Sequence, residues 1–406
     1  MNALDAFRGL TRSQRNSFIA SWAGWSLDAF DFFIFVFALH SIATDFHTTV
    51  KAVSEGIFLT LAMRPVGALL FGWLAERFGR RPILMVNIIS YSLCELASAF
   101  APDLRTMLIL RALFGFAMGG EWGVGAALAL ETLPARGRGL FSGLLQEGYV
   151  VGYLIASALF AVGFHALGWR GMFVVGALPA LLVLYIRTHV DESPVWLAGR
   201  QARRPGMRES LAAIGAHAPG FLFMVAMMAL FNAFSHGSQD LYPTFLQTQR
   251  GFSPGVTGTI AILYNVGALC GGIVFGMFSE RLGRRRAIAL AALLALPMIW
   301  PWAYSSTPLM LAVGSFLMQF MVQGAWGIVP AHLNELSPPG ARAILPGFAY
   351  QLGNLAMSRM GPFQAGFAEA HGNDYARVLA WTVGPVGIVL ASVVMLGREQ
   401  KSSEWQ

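Results

Sequence analysis

Charge is what this chain has least of. Asp, Glu, Lys and Arg make up only 12% of its 406 residues, while 56% are hydrophobic; a soluble globular domain carries about 25% charged residues. A water-soluble fold is thereby excluded. Cysteine is nearly absent: Cys94 and Cys270 both sit inside apolar runs and suggest neither a disulfide nor a metal site. No metal-ligand cluster, nucleophile elbow or nucleotide-binding loop occurs, so nothing marks the chain as an enzyme or calls for a cofactor. No cleavable leader is expected, because the basic N-terminus (Arg8, Arg12, Arg15) precedes an apolar run long enough to span a bilayer.

Runs of about 20 apolar residues recur instead along the whole length. About twelve are legible, near 17–43, 52–76, 82–101, 104–132, 139–166, 170–190, 219–247, 255–278, 286–304, 307–333, 343–369 and 374–396. The net charge of +7 is not a nucleic-acid signal, because the basic residues fall on alternate loops. One set holds Arg8, Arg12 and Arg15; Arg77, Arg80 and Arg81; Arg136 and Arg138; Arg187, Arg200, Arg203, Arg204 and Arg208; Arg281, Arg284, Arg285 and Arg286; Arg342; Arg398 and Lys401. The loops between hold only Lys51, Arg105, Arg170, Arg250 and Arg377. By the positive-inside rule both termini are cytoplasmic, which requires an even number of spans. The expectation is an all-α, multi-pass protein of the cytoplasmic (inner) membrane with twelve transmembrane helices, acting as a monomer in the lipid bilayer.

The chain also repeats itself. Gly72-Trp-Leu-Ala-Glu76-Arg77-Phe-Gly79-Arg80-Arg81 after the second run matches Gly276-Met-Phe-Ser-Glu280-Arg281-Leu-Gly283-Arg284-Arg285 after the eighth, every position 204 residues on. The same offset pairs Gly120, Trp122 and Gly123 with Gly324, Trp326 and Gly327, and Glu131, Pro134 and Arg138 with Glu335, Pro338 and Arg342. One register held over three regions is an internal repeat. It divides the chain into a six-helix bundle at 1–190, a basic cytoplasmic linker at 191–218 and a second six-helix bundle at 219–406. Each half has an even number of spans, so the repeats are parallel, and a substrate site is expected near midplane between them.

The most polar stretch inside a span is Asn232-Ala-Phe-Ser235-His236-Gly-Ser-Gln239-Asp240. At about 100° per residue, Asn232, Ser235, His236, Gln239 and Asp240 share one arc of roughly 140°. Such a stripe must face protein or a water-filled cavity, because unpaired polar groups in hydrocarbon are costly. The repeat maps Asp28-Ala-Phe-Asp31 of the first run onto Asn232-Ala-Phe-Ser235, so the face of Asp28, Asp31, Phe32 and Phe35 should line the same cavity.

Other ionisable groups lie deep in the runs: Glu95, Glu121 and Glu147 beside Asp28, Asp31 and Asp240, with Arg64, Arg111 and Arg359 as cations. Six acids against three arginines cannot all be ionised and paired, so some carry protons at neutral pH. That suits a proton-coupled carrier, with Asp28, Asp31, Glu121 and the His236–Asp240 pair deep enough to carry the proton. Arg64, about midway along its run, cannot snorkel; its planar fork suits a substrate carboxylate, or else an ion pair with Asp28 or Asp31. Arg359 shares a helix face with Gln351, Asn354 and Ser358, and helical facing adds Tyr350, Gln319 and Gln323 to the candidates in the second half. Glu95 reads as packed or snorkelling, and Glu147 as a part of the cytoplasmic gate.

The paired loops resemble the major facilitator superfamily signature G-x-x-x-D-R-x-G-R-R, with glutamate where aspartate is commoner. The resemblance covers the whole chain and implies twelve helices and alternating access, with Glu76, Arg77, Arg81, Glu280, Arg281 and Arg285 gating the cytoplasmic side. Within that superfamily, Asn232-x-x-Ser235-His236-x-Ser238-Gln239-Asp240-x-x-x-Thr244 resembles the seventh-helix signature of the lactate/pyruvate permeases in the sialate:proton symporter family. Trp25-Ser-Leu-Asp28-Ala-Phe-Asp31-Phe32 and Met63-Arg64-Pro-Val-Gly67-Ala68 resemble the same branch. The likeness implies symport of a proton with a short monocarboxylate, the small organic anion binding or coupling through Arg64, Asn232, His236 and Asp240. Arg111 is similar to a fourth-helix arginine of the superfamily that is structural or aids proton transfer. Another organic anion, aromatic or sialic, is the alternative cargo; a nutrient receptor that signals without turnover is the alternative outside transport.

Overall fold

The computed structural model describes residues 7, 9–133, 141, 144–198, 215, 217–337 and 345–397, all helix, turn or loop with no strand among them. Twelve spans follow the twelve apolar runs. Spans 1 to 4 are the helices Arg12–Asp45, Val50–Phe78, Arg80–Ala99 and Leu104–Thr132. Span 5 enters the helix Gly148–Val175, which turns at Gly168 (φ 59°) into span 6 and continues through Leu178–Leu181 to Leu182–His189. Span 7 is Ala218–Gln239 with Tyr242–Thr248, span 8 is Pro254–Leu282, and span 9 is Arg284–Leu294 closing in a π turn at Trp300–Tyr304. Span 10 is Pro308–Trp326 with Val329–Leu336, span 11 is Leu345–Met357 with Met360–Ala370, and span 12 is Tyr375–Leu396. The basic residues Arg8, Arg136, Arg138, Arg200, Arg203, Arg204, Arg208, Arg342, Arg398 and Lys401, with most of the 191–218 linker, lie outside the described residues.

The 204-residue offset is written into the contacts. Gly79 and Gly283 both end a helix at positive φ, 112° and 93°, a conformation that disfavours any residue with a Cβ. Arg80 meets Glu131 at 3.3 Å and Arg284 meets Glu335 at 3.4 Å. A methyl group on Gly67 would strike the Phe116 carbonyl oxygen at 1.8 Å, and one on Gly271 would strike that of Phe320 at 2.0 Å. Helix starts share the register too: Thr49 and Ser253 cap spans 2 and 8, and Asp103 and Thr307 cap spans 4 and 10. The small residues let helix backbones touch, which is how helices pack where no hydrophobic force drives them together.

The halves differ in continuity. Spans 1 and 4 run unbroken, whereas spans 7, 10 and 11 stop at Gln239, Trp326 and Met357. Each stop comes four or five residues before a proline: Pro243, Pro330 and Pro362. A proline ring clashes with the carbonyl four residues back and cannot bond to it, so the helix opens there.

Along the seam between the bundles, span 2 packs on span 11 and span 5 on span 8. On the face away from the chain ends the seam is fastened by polar contacts. The Lys51 N–H donates to Glu369 Oε1 (2.7 Å), Arg359 binds both oxygens of Glu55 (2.9 and 2.8 Å), and Thr248 meets His40 (3.1 Å). On the face carrying the chain ends, the polar contacts among the described residues stay within one bundle, as from Ser13 to Asp191 and Arg285 to the Val394 carbonyl.

Candidate transport site

The bundles meet over a buried group of polar and aromatic side chains. From span 1 come Asp28, 0% exposed, and Trp25; Asp31, also 0% exposed, turns instead into its own bundle, where a methyl on Gly176 would lie 3.1 Å from its Oδ1, with Glu95 and Arg111 within electrostatic reach. Span 2 supplies Arg64, also buried, with its guanidinium carbon 5.9 Å from the rings of both Trp25 and Tyr350 of span 11. Its Nε and Nη2 have no hydrogen-bond partner and it forms no ion pair among the described residues. Asp28 and Glu121 lie within electrostatic reach but not in contact. Glu121 of span 4 directs its carboxyl at span 1, where a methyl on Gly24 would come within 2.5 Å of Oε1. Glycine at 24 is what admits that carboxyl.

Arg111, 1% exposed like Arg64, has a counter-ion, although its Nε is without a partner. It binds Glu95 at 2.6 Å and Ser98 at 2.9 Å, with the rings of Phe35, Phe114 and Phe173 around it. Glu95 is therefore a packed ion-pair partner, 0% exposed, and does not snorkel.

The second bundle presents the stripe of span 7. Asn232, Ser235, His236, Gln239 and Asp240 are all buried. Asp240 receives His236 Nδ1 at 3.0 and 3.1 Å, as the i, i+4 spacing requires. The Phe32 ring of span 1 meets the imidazole edge-on at 6.0 Å, so these repeat mates do turn towards each other, whereas Phe35 packs inside its own bundle on Arg111 and Phe173. Gln323 and Gln319 of span 10 reach Ser235 (3.4 Å) and Ser238 (2.9 Å). Asn354 and Gln351 of span 11 bond one another at 3.3 Å. Both polar atoms of the Asn232 side chain are without partner.

A floor of rings lies beside this group. Tyr350 sits between Trp122 (5.7 Å) and its repeat mate Trp326 (5.9 Å).

Known proteins point the same way. The first half matches the model of the sugar (and other) transporters over residues 18–219, and the second half that of the major facilitator superfamily over residues 222–406. The chain belongs to the major facilitator superfamily. It is a membrane transporter and not an enzyme. Among its relatives, a Saccharomyces cerevisiae "Carboxylic acid transporter protein homolog" is 28% identical over 98% of this chain and 70% of its own length. A "Probable 4-methylmuconolactone transporter" of Cupriavidus pinatubonensis is 32% identical over 84% of this chain and 80% of its own. The Escherichia coli xylose transporter XylE, solved in a partially occluded inward open conformation, shares the fold: TM-score 0.79 at 18% identity, covering 97% of this chain and 100% of that one.

One residue expected at the site from helical facing lies elsewhere. Arg359 does not join Gln351, Asn354 and Ser358. Its side chain is 64% exposed, bonded to Glu55 and lying 3.9 Å over Phe58 of span 2. The break ahead of Pro362 separates it from the helix whose face it was expected to share. The loop residues keep to their own bundles. Glu76 binds Arg80 (2.6 Å), Arg81 reaches the Arg187 carbonyl, Arg285 that of Val394, and Arg77 lies against Trp73 and Phe78. Arg281 is exposed, and the Glu280 side chain lies outside the described residues.

Sequence reasoning missed the tyrosines of the seam. Tyr149 and Tyr153 of span 5 and Tyr264 of span 8 stand beside the stripe, Tyr264 donating to Gln239 Oε1 at 3.3 Å and packing on Tyr153 at 5.2 Å. Tyr149 packs on Trp25 at 5.6 Å and lies within electrostatic reach of Arg64 and Asp240. Their spacing of four residues, 149 to 153, was the available signal.

Proposed function

We propose that this transporter is a symporter that carries a proton together with a short monocarboxylate of the lactate or pyruvate kind, by alternating access. The observation that carries the reading is the contrast between Arg64 and Arg111, the two arginines only 1% exposed. Arg111 has Glu95 as its counter-ion and bonds Ser98, whereas Arg64 has no carboxylate in contact among the described residues and leaves Nε and Nη2 unpaired at the junction of the bundles. A buried guanidinium without a counter-ion is expensive, and a carboxylate is the ligand its fork fits. Asn232, Gln239, Tyr350 and Asn354 supply neutral polar groups, with His236–Asp240 beside them. A monocarboxylate entering alone would bring a negative charge into a dry site. A proton accompanying it removes that cost, and Asp28, Asp31, Glu121 and His236–Asp240 are the groups able to hold it. The relative named for carboxylic acids supports the substrate class, and the span 7 motif supports the lactate/pyruvate branch. The basic loops orient both termini to the cytoplasm of a cell whose inner membrane holds the carrier as a monomer.

A second cargo, a flat unsaturated or aromatic acid, is favoured by the rings around Arg64 and by the relative named for 4-methylmuconolactone. Counterflow of labelled lactate in proteoliposomes, with a panel of small carboxylates inside, decides between them. Exchange driven by lactate and pyruvate supports the first reading. Exchange driven only by aromatic acids supports the second, and no exchange with any acid sinks both.

A further inference from the structure

Glu147 is the embedded acid that stands apart from Arg64, Arg111 and the span 7 stripe, with no charged group within electrostatic reach. It opens span 5 on the side of the chain ends and faces span 8 across the seam. A methyl on Gly272 would sit 2.6 Å from its Oε1. Its Oε2 is buried without a partner, and the carboxyl makes no hydrogen bond or ion pair among the described residues. Elsewhere along the same seam the contacts are neutral: Gly258 against Ala161, Asn265 bonding Ser157 at 3.3 Å, and Tyr264 on Tyr153. Glu147 is thus the sole carboxyl in the span 5–span 8 contact among the described residues. The residues flanking it face Trp22, Trp25 and Ser26 of span 1 and Trp122 of span 4, and Gly272 lies beside the Gln323 carbonyl of span 10. None of these side chains carries a charge.

The geometry points to Glu147 as a proton-releasing residue of the transport cycle, neutral while span 5 is closed on Gly272 and ionised when the seam parts on the face of the chain ends. An unpartnered carboxylate pressed against a helix backbone is costly, whereas the acid is tolerated. Parting the bundles at this end would hydrate the carboxyl and let its proton leave as H3O+, so release is tied to bundle movement and not to substrate contact. Coupling of this kind requires only that the two access states differ in affinity for the proton. Among glycines of the seam, Gly272 is the one that provides room for the carboxyl.

This inference rests on the proton-symport reading, and the test separates the two. Wild-type protein in proteoliposomes is assayed for lactate counterflow and for lactate accumulation under a pH gradient; absence of accumulation in the wild type defeats the symport reading itself. Given wild-type accumulation, Glu147→Gln is expected to keep counterflow while losing about tenfold or more of the pH-driven accumulation. Gly272→Ala leaves Glu147 in place and crowds it, and is expected to displace the pH profile of uptake at intact counterflow. Wild-type accumulation in Glu147→Gln, or an unchanged pH profile in Gly272→Ala when the glutamine variant does not fold, overturns the assignment.

Discussion

The two halves share a scaffold and divide the chemistry. At the 204-residue offset, Asp28 and Asp31 face Asn232 and Ser235, Arg64 faces Ala268, Glu95 faces Ile299, Arg111 faces Ser315 and Glu121 faces Ala325. In the other direction, His236 and Asp240 replace Phe32 and Val36, and Gln319 and Gln323 replace Gly115 and Gly119. At the site, the first bundle holds Asp28, Arg64 and Glu121; the second holds amides and hydroxyls, most of them bonded to one another and Asn232 without a partner, with one His–Asp pair. What was kept is what packs: the capped helix starts, the glycines under carbonyls, the Arg–Glu loop pairs. A symmetric frame with an asymmetric lining would, on the proposed function, let one half hold a charged group while the other half adapts to the rest of the ligand.

The largest expected effect falls on the charge pair that has no counterpart in the second half. Removing one partner of the Glu95–Arg111 bridge, as in Arg111→Gln, should cost about 3–5 kcal/mol of stability because the remaining charge is buried alone. Thermal unfolding in detergent measures it, and the double variant Arg111→Met/Glu95→Met should recover most of the loss. Full recovery of transport by that double variant would assign the pair to structure alone.

Next in size is Arg64→Lys. The charge stays, but the fork is lost, and substrate binding should weaken by about 1.5–3 kcal/mol, the value of hydrogen bonds to a charged group. Near-normal lactate affinity would remove Arg64 from the site.

Making the halves more alike should also impair binding. Asn232→Asp places at the repeat mate of Asp28 a second carboxylate near the bound anion, costing about 2 kcal/mol at an effective dielectric of about 20. The loss should diminish as the pH falls and the new acid is protonated; a pH-independent loss would mean steric damage. The smallest effects belong to what the halves share. Asp103→Ala and Thr307→Ala each remove a helix cap, donated to by Thr106 N–H and Met310 N–H at 2.8 and 3.3 Å. Each should cost about 1 kcal/mol, with little difference between halves.

Much of this frame is legible in the letters. Twelve apolar runs, the repeated loops and the polar face of Asn232 to Asp240 follow from periodicity and spacing, and the spans and offset match them. The rest depends on which helices meet. That Arg111 takes Glu95 and leaves Arg64 unpaired is set by how spans 2, 3 and 4 pack, and no i, i+4 rule reaches across helices. Tyr149, Tyr153 and Tyr264 stand in apolar runs where an aromatic reads as packing against lipid. Arg359 misled because a helical wheel assumes an unbroken helix, although Pro362 already marked the break.

On the proposed function, a proton accompanies the acid that Arg64 receives. The most direct test is proton flux in proteoliposomes holding a pH-sensitive dye, with a lactate gradient imposed in place of a pH gradient. Proton movement with the lactate, weakened together with lactate uptake in Arg64→Lys, is the result expected. Lactate uptake with no pH change in the lumen would contradict it.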